Sequence, residues 1–556
     1  MLSRLLPSTA LIVSLLALPA WAAGDPPPGA ATAGEPTQAN LVANAREPAA
    51  AAVPDAADLS RELTERLAAS SGNLTAAERE DRAALAAFYA GRKHAPVWIG
   101  AAGLTPAAEA AIGEIRRADD WGLEASAFQL PAPPAPAGSE VSRAARADAE
   151  IALGFAILKY ARHARGSRSD PATLSKFLDR KLPLLQPQRV IDAAATAQAP
   201  DAYLRSLHPQ HPQFEALRQR YLALKVGQPV ALGGDQSPPE ADKKTGKQKA
   251  AAAPEPATAR KLLVNMEEWR WMPETLGDFY VWVNVPEYTL RVVKNGQVIH
   301  TERVIVGKTD TQTPVFSQDM EQVIFHPFWG VPESIKRNDI LPSLARGSTR
   351  VLARYNLRLQ RGGRDIDPEA VDWSSADIRG FHVYQPPGAT NVLGTVKFRF
   401  PNKHDVYMHD TPTKNLFNSQ VRTFSHGCMR VRDPQRLALL LLAEDQGWTG
   451  PRVAAAMAPG GAQNNQIKLN RKVPVHVTYF TAAVEEDGKL KVFSDVYGHE
   501  SKIALGMEGK AHLIPRWKEE AAPARAEAIG NLAESRGDGQ GKKDWARKTL
   551  SSPGSF

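Results

Sequence analysis

Cys428 is the only cysteine in the chain. It lies in Ser425-His426-Gly427-Cys428-Met429-Arg430, with a second histidine upstream in Tyr407-Met408-His409-Asp410-Thr411-Pro412. A lone thiol has no internal disulfide partner, so it is either a small buried hydrophobe, the commoner fate of a free cysteine, or a nucleophile. A free thiol with a pKa of ~8.5 is mostly protonated at neutral pH, so attack on a carbonyl needs a base within hydrogen-bond reach or a field that lowers the pKa. Histidine supplies such a base near pH 7. Gly427 removes a side chain next to the sulfur, which opens an approach for a substrate carbonyl and leaves backbone N–H groups to act as an oxyanion hole. The combination suits acyl transfer.

Three histidines compete for the role of base. His426 sits two residues before Cys428 and shares its face if the segment is extended. His404 reads as a solvent-facing loop residue. His409 closes a strand whose end can face the cysteine. A zinc site built from His409, His426 and Cys428 has acceptable donor atoms but lacks a second cysteine or an obvious fourth ligand.

Ser-His-Gly-Cys-x-Arg preceded by His409-Asp410-Thr411-Pro412 resembles the signature of the L,D-transpeptidases, the YkuD-type cysteine enzymes of bacterial peptidoglycan. Arg303-Val304-Ile305-Val306-Gly307-Lys308 with Thr313-Pro314-Val315-Phe316 resembles the family's entry strands. Gly388 with Asn391-Val392-Leu393-Gly394 and Lys397-Phe398-Arg399-Phe400-Pro401-Asn402 resembles its approach to the catalytic histidine. The resemblance covers residues 258 to 500. Between Phe325 and Phe381 it includes a long segment, containing Phe328-Trp329-Gly330-Val331-Pro332 and Asp339-Ile340-Leu341-Pro342, like the active-site lid of the large Gram-negative periplasmic members. The small helical peptidoglycan-binding module common in that subgroup is not recognisable, and a linker stands in its place.

The resemblance implies that Cys428 is the nucleophile and His409 the general base and acid, its second ring nitrogen oriented by a backbone carbonyl near Asp410. It assigns the Gly427 backbone to the oxyanion hole. His426, Ser425, Arg430 and Tyr407 then contact substrate. Arg430 has two readings: a bidentate hold on a stem-peptide carboxylate, or an internal ion pair with Asp433. No cofactor or metal is implied. The implied reaction releases D-Ala from a peptidoglycan stem, forms a thioester and passes the acyl group to an amine, giving third-to-third cross-links in wall biogenesis; such enzymes are carbapenem targets. L,D-carboxypeptidation, D-amino-acid exchange and a non-catalytic wall-binding scaffold are the alternatives. Stem peptides are the expected partners, with other wall-synthesis proteins beside them.

Met1 to Ala22 reads as a signal peptide, with Arg4, an apolar run from Ala10 to Leu18 and a small-x-small cleavage site. The run is short of the ~20 residues that span a bilayer, so the mature chain is expected in the periplasm without a transmembrane span. Residues 23–57, rich in Ala, Pro and Gly, read as a disordered tether, 227–257 as a linker and 501–556 as a largely disordered charged tail. In 58–226, Ile151, Phe155 and Leu158 recur at helical spacing, and Thr105-Pro106 and Asp170-Pro171 mark helix starts. This predicts a helical scaffold domain. After residue 258 the period becomes strand-like: Phe279–Val283, Leu290–Val293, an Asn295-Gly296 turn, Val396–Phe400, Val473–Phe480 and Leu490–Phe493, with one helix from Asp433-Pro434 to Gly447. The fold class expected is multidomain α+β, a helical domain followed by a mostly antiparallel β domain with a lid at 326–380. The net charge of +8, with Lys414, Arg422, Arg430, Arg432 and Arg436 around the motif, fits an anionic wall or membrane surface and does not call for nucleic acid.

Overall fold

The computed structural model describes residues 54–69, 72–132, 140–231 and 255–515. The expected signal peptide, most of the tether and linker, and the tail from 516 on lie outside the described residues. Among the described residues no helix is long and apolar enough to cross a membrane.

The first half is helical. Its longest helix, α1 (Glu140–Ala164), buries Leu153, Ile157, Tyr160 and Ala164 completely. Ile151 and Phe155 sit at the margin of that face, so the buried stripe is rotated from the one the sequence spacing suggested. Thr105 and Asp170 cap the helices that follow them, each accepting a backbone N–H ahead of a first-turn proline. Glu150 on α1 is fully buried and accepts the Tyr89 hydroxyl and the backbone N–H groups of Val97, Trp98 and Ile99. That carboxylate ties the helical layers together.

The second half is built on a nine-stranded sheet: β1 (Phe279–Asn284), β2 (Thr289–Lys294), β3 (Gln297–Gly307), β4 (Phe316–Phe325), β5 (Val396–Arg399), β6 (Met408–His409), β7 (Thr423–Ser425), β8 (Met429–Val431) and β9 (Asn465–Thr478). The order is β7-β3-β8-β6-β5-β4-β9-β1-β2, and β2 pairs back onto β3, closing the sheet on itself. Pairings are antiparallel except β6 with β8, β7 with β3, and β9 with β1. The Asn295-Gly296 turn joins β2 to β3 with both residues at positive φ, as a two-residue hairpin demands. Helix α3 (Pro434–Gln446) packs Leu437, Ala438, Leu441 and Leu442 into the sheet's core and ends at Gly447 with φ +65°.

Three features depart from the sequence expectation. Residues Glu255–Arg270 form a helix, α2, where strands were expected to begin. Leu262, Asn265, Met266, Glu267, Trp269 and Arg270 on it are all buried, so its charged residues point inward and mask the apolar period. Glu267 there pairs with Arg168 of the helical half at 2.8 Å. Residues 499–507 form a further helix, α4, that buries Ile503 and Ala504 in the main core with Ile514 beyond it, so the tail expected from 501 is folded through 515. Finally, the lid segment has its own core, including Trp329, Ile340, Leu352, Leu359, Trp373 and Val383, and its own four-stranded sheet. Its apolar residues form that core with Leu393 from the return leg.

The two halves are joined by α2 and by the segment after Asp170, whose Leu174 and Leu178 enter the sheet's core. Trp271 is fully buried there, its indole donating to the Gly166 carbonyl at 3.1 Å. Gly166 has φ +90°, and a Cβ on it would stand 2.6 Å from the Trp271 ring. Trp271→Ala is expected to destabilise the protein by about 3–5 kcal/mol, read as a lowered urea midpoint at unchanged slope.

Candidate active site

The site is written by pleat and register. In β5 and β6, Phe398 pairs with Met408, and Met408 with Met429 of β8; all three are buried in the core. The alternate row, Lys397, His409 and Arg430, points to the opposite face. The Met429 N–H donates to the Tyr407 carbonyl at 3.0 Å, which puts Tyr407 beside Cys428, two residues before His409 and Arg430 and on their face. One face of three short strands thus carries Lys397, Tyr407, His409, Cys428 and Arg430.

His409 is buried, and its Nδ1 hydrogen-bonds the Asp410 carbonyl, leaving Nε2 as the working nitrogen. The carbonyl is fixed by its own carboxylate, which accepts the Thr395 N–H at 2.9 Å, the Thr411 N–H at 2.7 Å and Lys414 at 2.5 Å. Burial, with Arg430 beside it, pushes His409 down to about 3, so its imidazole is neutral at neutral pH. Cys428 is half-buried. Burial pushes its thiol up, opposed by the backbone N–H and phenol of Tyr407 and by the charges of Lys397 and Arg430. The resting pair is therefore thiol and imidazole, not thiolate and imidazolium. The sulfur points at the Asp405 carbonyl, 4.0 Å away, and makes no hydrogen bond to His409 in this substrate-free state; such bonds commonly close only around substrate.

The loop before the cysteine is internally tied. Ser425 is buried; its hydroxyl donates to the Cys428 carbonyl at 2.5 Å and accepts the Gly427 N–H at 3.2 Å. Thr313 accepts the Gly307 N–H at 2.9 Å and donates to the Gly427 carbonyl at 2.8 Å. Two expectations change. Ser425 is spent on shaping the loop, and the Gly427 N–H expected in the oxyanion hole is engaged by the Ser425 hydroxyl. The Cys428 N–H donates to no partner among the described residues. Gly427 is still required, because its φ is +112°.

His426 lies half-buried on the loop, its Nδ1 without a hydrogen-bond partner among the described residues. Burial, Lys308 and Arg430 push it down to about 4. Arg430 is buried and donates to Thr413 Oγ1 at 3.2 Å, while Asp433 is engaged in capping α3. His404 is not a solvent-facing loop residue: it contacts Asp179 of the helical half at 2.9 Å. His409, His426 and Cys428 do not gather into a three-ligand cluster among the described residues. Several of the expected surface charges are spent internally: Arg422 donates to the Val304, Ser419 and Tyr288 carbonyls, and Arg432 pairs with Glu302.

Sequence reasoning placed Trp329 only in the expected lid segment and gave no individual role to Thr313 or Asn402. Asn402 accepts the His404 N–H and donates to the Phe400 and Val406 carbonyls, shaping the turn into β6. Trp329 comes from the lid core, and its indole N–H acts on the Tyr407 phenol, which in turn faces Cys428. Tyr407 packs on both the sheet core and the core of the expected lid segment.

Residues 278–453 match the family model of the L,D-transpeptidase catalytic domain, YkuD, and residues 83–220 match that of a scaffold domain. The β-rich half is similar to the L,D-transpeptidase catalytic domains of the YkuD family. A Haemophilus influenzae protein named "Putative L,D-transpeptidase" is 32% identical over 248 residues, 44% of this chain and 49% of that one. The chain thus matches about half the length of this relative. Among solved structures, an L,D-transpeptidase from Mycobacterium smegmatis aligns at 13% identity over 36% of this chain and 58% of its own, with a TM-score of 0.16. L,D-transpeptidase 1 of Mycobacterium tuberculosis aligns at 13% identity over 36% and 61%, with a TM-score of 0.15. Similarity at this level carries no argument about the site.

Gly394 tests the support of His409. Its φ is +59°, and a Cβ there would stand 2.3 Å from Asp410 Oδ2. Gly394→Ala should displace Asp410 and the imidazole it orients, lowering turnover on the order of 10²-fold while circular dichroism of the folded domain is retained.

Proposed function

We propose that this protein is a peptidoglycan L,D-transpeptidase acting in the periplasm, with Cys428 as nucleophile and His409 as general base and acid. The observation that carries the reading is the shared face of Cys428, Tyr407 and His409, with the imidazole turned by the Asp410 carbonyl so that Nε2 is free. The Cys428 proton passes to His409 Nε2 as Sγ attacks the carbonyl between the third residue and the D-Ala of a donor stem. The Cys428 N–H is placed to stabilise the oxyanion. His409 then gives its proton to the D-Ala amine, the C–N bond breaks and a thioester remains. An amine from a second stem attacks it, loses a proton to His409 and displaces the sulfur, which takes that proton back. Arg430, His426 and Tyr407 position the donor, whose carboxylates suit the guanidinium.

Third-to-third cross-linking is favoured over hydrolysis by the lid. Its Trp329 meets Tyr407 beside the sulfur, where a closed cover excludes water from the thioester.

Intact mass of the purified protein incubated with a carbapenem is the primary test: one covalent addition is expected, and none in Cys428→Ala. Residual addition in that variant would sink the assignment. His409→Ala should lose on the order of 10² to 10⁴ in rate, and His426→Ala less; the reverse order in folded variants would exchange their roles. Trp329→Phe keeps the lid's packing but removes the indole N–H. It should raise the ratio of hydrolysed to cross-linked product about fivefold, the equivalent of one hydrogen bond contributing ~1 kcal/mol to closure; an unchanged product ratio would show that this contact does not govern the acceptor.

A further inference from the structure

The catalytic face holds one cation whose placement the reaction as described leaves unused. Lys397 follows Val396 and precedes Phe398, both fully buried, so the strand's alternation sends it to the cysteine's side of the sheet. It pairs with His409 across β5 and β6. Its ammonium lies 3.7 Å from the centroid of the Tyr407 ring, the ring whose hydroxyl faces Cys428. Among the described residues no carboxylate forms an ion pair with it. The contrast with Lys414, paired with Asp410 at 2.5 Å, and with exposed Arg399, bonded to Gln322 at 3.1 Å, is direct. A half-buried ammonium costs free energy to desolvate unless an anion forms near it. Asp405, the carboxylate that acts on Lys397, forms no ion pair with it; the other anion that acts on it is the Cys428 sulfur.

We propose that Lys397 is the counter-ion of the Cys428 thiolate, held over the sulfur's neighbour by the π face of Tyr407. When the thiol proton moves to His409 Nε2, the charge left on Sγ meets the ammonium, which keeps its own proton. As the new C–S bond consumes that electron pair, the charge passes to the carbonyl oxygen. Lys397 acts through Cys428 and is a positioning residue. The titratable and charged groups facing the thiol are Lys397 from β5, Tyr407 and His409 from β6 and its approach, and Arg430 from β8. The carbonyl of Asp405 also faces it, the Asp405 carboxylate acts on Lys397 and Tyr407, and His426, Lys308 and Asp310 flank the loop. Of these, Lys397 is the cation stacked on the Tyr407 ring.

This inference rests on Cys428 being the nucleophile, but its test reads the thiol whether or not peptidoglycan is the substrate. The rate of alkylation of the full protein by iodoacetamide, a neutral probe, is measured from about pH 6 to pH 10. Lys397→Met should shift the profile to higher pH and slow the reaction at pH 7 about tenfold, one pKa unit. Lys397→Gln, which keeps a polar chain if the methionine variant does not fold, should do the same. Lys397→Arg, which keeps the charge, should stay within about twofold of the parent. Profiles of the neutral variants that superimpose on the parent's would overturn the proposal. So would an unmoved profile with a raised KM for a stem peptide, which would place Lys397 on a substrate carboxylate instead.

Discussion

The site exists because two very short strands, Met408–His409 and Met429–Val431, lie parallel and in one register. A slip of one residue would bury Cys428 and His409 in the core and turn Met408 and Met429 to the outside, since side chains alternate faces at every residue. What prevents the slip is the apolar row: Phe398, Met408 and Met429, all fully buried. The hydrophobic effect thus sets the catalytic geometry indirectly, and the polar residues occupy the positions the core leaves them. The ties that finish the site, from Thr313 to the Gly427 carbonyl and from Asp410 to Thr395, act on a register already chosen.

Much of the chemistry was legible because it is local in sequence. Cys428, His426 and Gly427 are contiguous, and His409 carries its orienting carbonyl on the next residue. The errors were of partnership. Whether the Gly427 N–H is free depends on the Ser425 hydroxyl folding back across two residues, and whether His404 is solvated depends on Asp179, 225 residues away. No periodicity reports either. Trp329 and Lys397 were visible as residues, but only the three-dimensional meeting with Tyr407 gives them work.

At the level of fold, strands with clean alternation were readable, as in the Asn295-Gly296 hairpin and the Val396–Arg399 strand. Helix α2 was not, because its buried face includes Asn265, Glu267 and Arg270. Those residues satisfy one another and the helical half: Arg168 and Arg270 both reach Glu267, and Asn265 bonds Thr481 at 3.0 Å. From Val264 to Arg270 every residue of the helix is buried, so that stretch has no solvent side on which to display polar residues and the amphipathic signal vanishes. The lid's core escaped for a different reason, since it is assembled from two legs separated by surface loops.

The half-burial of Cys428 has a chemical consequence apart from turnover. Oxidants such as peroxide react with the thiolate, and a thiol kept protonated by its surroundings reacts slowly. With no second cysteine to close a disulfide, an oxidised sulfur could not be resolved within the chain. Surroundings that hold the sulfur protonated therefore slow its attack by small oxidants, protecting a thiol the chain cannot rescue.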